Sequence, residues 1–248
     1  MGTSMTPLIG IVCKSADNDL VRSGDPKYRV ARPYRLAIES VGLKTRLIPT
    51  DLAANERHQI TGCNGYVLAG GASDVSIGCD YSGAVGRVDS CTRDVARDQV
   101  EQQVVLHARE HGNPLLCICR GMQLLNNVLG GKTSPLRGHH LERHRRLDTP
   151  FDASVHTIQI AAGSGLRRIL GANVAEVNSA HGFAVSEIAD QVSAAALSED
   201  GIVEAIEVRA DAWTVGVQWH PEALLDDPRQ FALFKDFARQ VRDVARLT

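Results

Sequence analysis

Several absences narrow the reading of these 248 residues. No apolar run approaches the roughly eighteen residues that a membrane-spanning helix requires. The N-terminus, Met-Gly-Thr-Ser-Met-Thr-Pro, has no basic stretch leading into an apolar one, so no secretory leader is expected; Met5 is a candidate natural start, with residues 1–4 as an added remnant. No excess of one charge is present. Lys and Arg total 27 against 29 Asp and Glu, and a net charge of −2 gives neither nucleic acid nor an anionic membrane a reason to bind. No linker, repeat or low-complexity tract interrupts the chain, so 1–248 reads as one domain long enough to bury a full core. Six cysteines could form three bridges, but a chain of this length with 44% hydrophobic residues does not need them. Reduced thiols and a cytoplasmic location are the expectation.

What is present is an alternation. Leu8–Cys13, Lys44–Ile48, Tyr66–Ala69 and Leu115–Ile118 are short, nearly continuous apolar runs, the pattern of strands buried on both faces. Helical patterns lie between them. Tyr34–Val41 ends at Gly42, and in 93–111 Ala96, Val100, Val104 and Ala108 recur every four residues with charged and amide side chains between, predicting a surface helix with one inward face. Such an alternation predicts an α/β fold with a mostly parallel sheet covered on both sides. In the second half, Ser154–Ile160, Val174–Val177, Val192–Leu197 and Ile202–Val208 read as closely spaced strands. Thr214–Val217 returns to the apolar type, and a last helix carries Phe231, Phe234, Phe237, Val241 and Val244 as its inner stripe.

The segment 114–130, Pro-Leu-Leu-Cys-Ile-Cys-Arg-Gly-Met-Gln-Leu-Leu-Asn-Asn-Val-Leu-Gly, is the most informative. It reads as strand, sharp turn and helix, with Cys119 at the corner and Gly121 allowing tight backbone passage. A thiol at the positive end of a helix dipole is favoured as the nucleophilic thiolate. About a hundred residues later comes Gln218-Trp-His-Pro-Glu222. His220 and Glu222, two apart at a strand end, can point the same way, and a carboxylate beside an imidazole orients it and favours its protonated form. Either motif alone is weak; together, Cys119, His220 and Glu222 predict a cysteine hydrolase rather than a buried inert thiol and a surface turn.

Other clusters leave alternatives open. Leu68-Ala-Gly-Gly-Ala-Ser-Asp74 lacks the Lys-Ser/Thr of a P-loop and the third glycine of a dinucleotide fingerprint. It is either a simple tight turn or a source of backbone N–H groups for an oxyanion, in which case Gly71 and Arg120 would form the hole. Asn178-Ser-Ala-His-Gly-Phe183 is either a pocket edge or an ordinary loop. Cys117 shares a strand face with Cys119, but no second cysteine pair is near enough to complete a zinc site, so it reads as a small buried residue. His139, His140 and His144 fall in the least patterned stretch, 135–150, which reads as a solvated basic loop beside the site; no metal is expected.

Taken together these segments resemble class I glutamine amidotransferase-like hydrolases and, within them, the γ-glutamyl-γ-aminobutyrate hydrolase group, peptidase family C26. The resemblance rests on Leu68–Val75, Asp94–Glu101, Ile118–Asn126 with Gly130-Gly131, Val177–His181, Ser198–Ile206 and Gly216–Glu222, and so extends through most of the chain. It implies a flavodoxin-like three-layer α/β/α sandwich with a smaller β element in the second half, and Cys119, His220 and Glu222 as a triad. It also implies that Gln123, Asn178, Ser179 and His181 hold a glutamyl head group, that no cofactor is needed, and that a homodimer is plausible. Phe183 stands where the group often carries Gln, which removes one hydrogen-bonding side chain and leaves open an apolar or aromatic leaving amine. The activity implied is hydrolysis of a γ-glutamyl amide. A glutaminase subunit feeding ammonia to a synthetase shares the triad, and the extra segments 75–95 and 135–150 favour the free-standing enzyme over it. A non-catalytic binder on the same scaffold is the third reading.

Overall fold

The computed structural model describes residues 6–13, 31–50, 58–71, 73–79, 93–209 and 212–246. The proposed start at Met5 and most of segment 75–95 lie outside the described residues. The first half alternates as its sequence pattern predicts: β1 (Leu8–Cys13), α1 (Ala31–Ser40), β2 (Lys44–Pro49), β3 (Gly65–Leu68), α2 (Val95–Glu110), β4 (Leu115–Ile118) and α3 (Arg120–Val128). Then follow β5 (Lys132–Pro135), α4 (Gly138–His144), β6 (His156–Ile160), α5 (Gly165–Leu170), β7 (Val174–Val177), β8 (Phe183–Glu187), β9 (Val192–Ser198), β10 (Val203–Val208), β11 (Thr214–Val217), a 3-10 turn over Pro221–Ala223 and α6 (Pro228–Ala245).

Nine strands form one sheet in the order β2-β1-β3-β4-β11-β10-β9-β6-β7. The five from β2 to β11 run parallel. The remaining four extend the sheet antiparallel, and β5 with β8 makes a separate antiparallel pair. Period-two alternation sends Ile9 and Ile11 to one face and Val12 to the other. On the first face Ile9 and Ile11 pack with Tyr34, Ile38, Phe234 and Phe237 of α1 and α6. On the second, Val12, Tyr66 and Leu68 pack with Val100, Val104, Leu124 and Leu125 of α2 and α3. This is the three-layer sandwich, with a hydrophobic core on each side of the sheet. Two helix starts that flank the sheet are capped by side chains: Asp94 accepts from Arg97 N–H (3.2 Å) at α2, and Asp227 accepts from Arg229 N–H (2.8 Å) with Pro228 at the first position of α6.

Two expectations need correcting. Segment 135–150 is not a solvated loop: it contains α4, and His144 is fully buried. Its polar composition hid this because histidines and arginines that meet acidic partners from other elements can be buried. Helix α2 turns Val100, Val104 and Ala108 inward as expected, but Ala96 is not part of that face. Ala96 faces solvent, while Arg97, Asp98 and Glu101 are buried.

Register fixes what meets at the sheet edge. Val217 lies level with Ile118 and Leu68 with Cys117, so β3, β4 and β11 end together. The chain continuing from each supplies Gly70-Gly71, Cys119 and Gln218–His220. Carboxyl ends of parallel strands are where α/β folds form their crevices.

Candidate active site

Cys119 occupies the corner between β4 and α3 with φ 53° and ψ −107°, the single non-glycine residue at positive φ among the described residues. That conformation costs a side-chain-bearing residue of order 1–3 kcal/mol and persists only where surrounding structure enforces it. The enforcement is visible. Cys119 N–H donates to Val217 C=O (2.7 Å), and α3 begins immediately, with Met122 and Gln123 N–H on Cys119 C=O (3.0 and 3.2 Å). Gly121 must be glycine, because a Cβ there would sit 2.4 Å from Leu68 O.

His220 follows β11, and its Nδ1 is 2.7 Å from Glu222 Oε1; both residues are buried. Glu222 is presented by the 3-10 turn that Pro221 opens. Burial alone would depress the His220 imidazole, but the Glu222 carboxylate and the charge on Cys119 outweigh it and carry its pKa up to about 10. The backbone of His220 is clamped by Asn178, whose Oδ1 accepts His220 N–H (2.8 Å) and whose Nδ2 donates to His220 C=O (3.0 Å). Two groups with no sequence signal join this site. The Tyr34 hydroxyl lies 3.3 Å from His220 Nδ1 and accepts Gly70 N–H (3.0 Å); burial pushes its phenol well above the usual value, with Glu222 and Cys119 adding to the shift, so it stays neutral. The Phe151 ring packs on the imidazole at 4.6 Å between centroids.

Beneath the elbow lies a buried charge network. The Arg120 side chain turns away from the cleft, pairing with Asp98 and Glu101 and donating to Ser73 C=O (3.0 Å). Arg97 pairs with Glu101 (2.7 Å) and donates to Ala69 and Gly70 C=O (2.7 and 3.1 Å). Two guanidinium groups thus hold carbonyls on both sides of Gly71. Asp98, for its part, accepts Ser76 N–H (2.6 Å). In the sequence these charges looked like a solvated helix face.

A cleft of about 260 Å3 opens over the elbow, lined among others by Gly71, Cys119, Arg120, Gln123, His181 and Phe183. Both oxyanion-hole candidates therefore share one cleft with the thiol. Gln123 is on the wall, its Nε2 engaged by Phe183 C=O (2.8 Å) and Gln218 Oε1 (3.0 Å), while Gln218 Nε2 approaches Cys119 Sγ at 3.5 Å. Gln218 was not singled out by sequence. Asn178 and Ser179 do not take the expected position on the cleft wall. Asn178 is engaged by His220 and by Phe151 C=O (2.7 Å), and Ser179 Oγ donates to His144 C=O (2.7 Å). They shape the wall from behind, because their short side chains reach backbone groups first. A larger cleft of about 390 Å3 between α5, β10 and α6 holds no nucleophile. Its Glu207 accepts the first N–H groups of α5, and its Trp213 donates to Asp236 (2.7 Å).

Cys63, Cys117 and Cys119 are free thiols, and Cys117 is fully buried, with its pKa raised by that burial. Among the described residues no helix is long and apolar enough to cross a membrane.

A cysteine elbow at the carboxyl end of a parallel sheet, with a His-x-Glu pair just beyond the neighbouring strand, defines a protein of the class I glutamine amidotransferase-like type. The peptidase C26 family model matches residues 7–222, and the chain belongs to that family. Protein NtpR of Enterococcus hirae is 30% identical over 230 residues, 88% of this chain and 92% of that protein. The γ-glutamyl-γ-aminobutyrate hydrolase PuuD of Escherichia coli is 31% identical over 141 residues, a match covering 54% of this chain and 56% of PuuD. Among solved structures, a glutamine amidotransferase from Thermotoga maritima aligns over 98% of this chain and 95% of its own, with TM-score 0.54 at 14% identity. A chain from Thermoplasma acidophilum aligns over 98% of both at TM-score 0.66 and 15% identity. Likeness at such identity speaks for the fold alone. Family and relatives together support γ-glutamyl hydrolase or amidotransferase-like activity.

Proposed function

We propose that the protein hydrolyses a γ-glutamyl amide to glutamate and a free amine through a γ-glutamyl thioester on Cys119. Cys119 Sγ attacks the γ-carbonyl carbon, and the resulting oxyanion is held by the Gly71 and Arg120 N–H groups. The C–N bond breaks as the His220 imidazolium gives its proton to the departing amine. Water then adds to the thioester carbonyl, handing a proton to His220, and collapse of the second tetrahedral intermediate expels the thiolate and releases glutamate. Glu222 on Nδ1 keeps the other ring nitrogen for this shuttle. Gln123, His181 and Phe183 form the wall that meets the substrate, and Asn178 and Ser179 hold that wall and His220 in place. Neither step requires a metal or a cofactor.

The observation that carries this reading is His220, bonded at 2.7 Å to Glu222 and carrying a pKa raised in part by the neighbouring Cys119. An inert buried thiol has no reason to occupy a strained elbow against such a pair. The test is glutamate release by wild type and Cys119→Ala from glutamine and from a panel of γ-glutamyl-GABA, γ-glutamyl polyamines and γ-glutamyl anilides, followed by mass spectrometry. Cysteine-dependent cleavage of one amine class well above glutamine is expected. Turnover of glutamine alone would favour the second reading, a glutaminase that passes ammonia to a synthetase. No cysteine-dependent release from any substrate would overturn both.

A further inference from the structure

Behind the cleft wall, four chain segments bring His144 (α4), His156 (β6), His181 (the β7–β8 loop) and Glu204 (β10) together in the interior. Glu204 and His144 are fully inaccessible. Glu204 Oε1 lies 3.2 Å from His144 Nδ1, 3.2 Å from His156 Nε2 and 3.6 Å from His181 Nε2. The ligand atoms of His144, His156 and Glu204 all fall within 4.8 Å of one another. Despite these distances, none of the three nitrogens and neither Glu204 oxygen has a hydrogen-bond partner of acceptable geometry. Five unpartnered polar atoms converging in one buried place is a large cost unless something positive sits among them.

The outward-facing nitrogens say what kind of positive group fits. His144 Nε2 lies on the Asp200 carboxylate (3.1 and 3.2 Å), which is itself held by Ser198 Oγ–H (2.6 Å) and lies 2.8 Å from His140 Nδ1. His181 Nδ1 lies on Phe183 C=O (2.9 Å). Each is an N–H donated to an acceptor, which turns the opposite nitrogen of that ring toward Glu204, while His156 has no hydrogen-bond partner at either nitrogen. Ring N–H on a carboxylate or backbone carbonyl, with the second nitrogen facing inward, is the arrangement that orients metal-ligating histidines. One added proton satisfies only one imidazole, and two imidazolium rings here would stand 4.9 Å apart. One divalent cation satisfies all the inward lone pairs at once. With metal–ligand bonds of about 2.0–2.2 Å, a tetrahedral site has ligand-to-ligand edges of about 3.3–3.6 Å, the spacing found around Glu204.

We infer that His144, His156 and Glu204, with His181 as the nearest fourth donor, form a structural binding site for a divalent transition metal, most suitably Zn2+. The all-protein, N-plus-carboxylate donor set fits zinc, and with Glu204 and His144 inaccessible the ion's work is to tie α4, β6, β10 and the 178–183 wall together. The wall already depends on α4: His181 N–H and Ser179 Oγ–H both donate to His144 C=O (3.1 and 2.7 Å). This site stands whether or not the substrate is a γ-glutamyl amide.

The test begins with metal content of the tag-free full-length protein by plasma mass spectrometry, where about one zinc per chain is expected. Protein stripped by a chelator should regain about one equivalent of Co2+ with the intense visible bands of tetrahedral N/O coordination, and Zn2+ should raise its Tm. Glu204→Gln and His156→Gln should lose both signals. A wild type carrying less than about a tenth of an equivalent, with no Co2+ bands and no Tm response, would overturn the inference and leave a protonated His–Glu cluster in its place. So would uptake unchanged in Glu204→Gln, which would put the ion on the surface. If the variants fail to fold, wild-type stoichiometry and the Co2+ spectrum still decide.

Discussion

Two buried polar networks flank Cys119, and they differ in how they are neutralised. Under the elbow, Arg97 and Arg120 face Asp98 and Glu101, two charges of each sign, and the guanidinium hydrogens left over reach Ala69, Gly70 and Ser73 carbonyls. That network closes on itself. Behind the opposite wall, Glu204 faces three imidazoles without one well-formed hydrogen bond. That network is open and calls for an added cation. The difference teaches that the two sides of one cleft can be made rigid by unlike means. Arginines with their fixed forks bring the charge with them, whereas histidines hold a lone pair ready for a charge that comes from outside.

The largest expected effect lies between the networks and should leave both untouched. Cys119→Ser should cut turnover by about four orders of magnitude with unfolding in urea unchanged. Near-normal turnover would mean that the cleft is not the reaction site. Next comes the closed network itself. Arg120→Met leaves Asp98 buried without its cation and Glu101 with Arg97 alone, and should cost about 3–5 kcal/mol of stability by urea titration. A loss below about 1 kcal/mol would show that the pairing is not what holds this side.

Smaller effects separate positioning from contact. Asn178→Ala frees the backbone of His220 and should lower kcat by about 10–100-fold with KM nearly unchanged. A rise in KM with kcat preserved would return Asn178 to the substrate-contact role that its sequence position suggested. The mildest test is pH. The folded His220 has its pKa raised from 6.5 to about 10, so the stability it contributes is complete below about pH 6.5 and is lost as pH rises through about 10. The alkaline limb of kcat/KM should fall in the same region, where the imidazolium that protonates the amine is lost. An alkaline limb near 7 would mean that Glu222 and Cys119 do not sustain the charge.

Much of the fold was legible. β4, β7 and β11 fall where their apolar runs predicted, and the elbow was readable from Cys119 and Gly121 because a strand, a corner and a helix leave local marks. The small sheet was less so: Lys132–Pro135 and Phe183–Glu187 are short and mixed in polarity, and each becomes a strand because the other pairs with it. The His220–Glu222 pair was legible for the same local reason, two residues apart at a strand end. Tyr34 and Phe151 carry no local signal for joining Cys119 and His220, since each arrives from a different part of the chain, whereas Gln218 lay in the His-Pro-Glu segment without a role of its own.

The sequence by itself determined what short-range rules control: the period of each run, the glycine at the tight turn, the cysteine at a helix start and the carboxylate beside the histidine. Only the tertiary structure decided the fate of the charges. Arg97, Asp98 and Glu101 read as a solvated face, and His144 as part of a basic loop, yet all four are buried. A helix's periodicity tells which residues share a face, while the cost of burying that face depends on the partners other elements bring. Arg120 closed one such face with charge of the right sign. Around Glu204, four distant segments closed another with lone pairs alone.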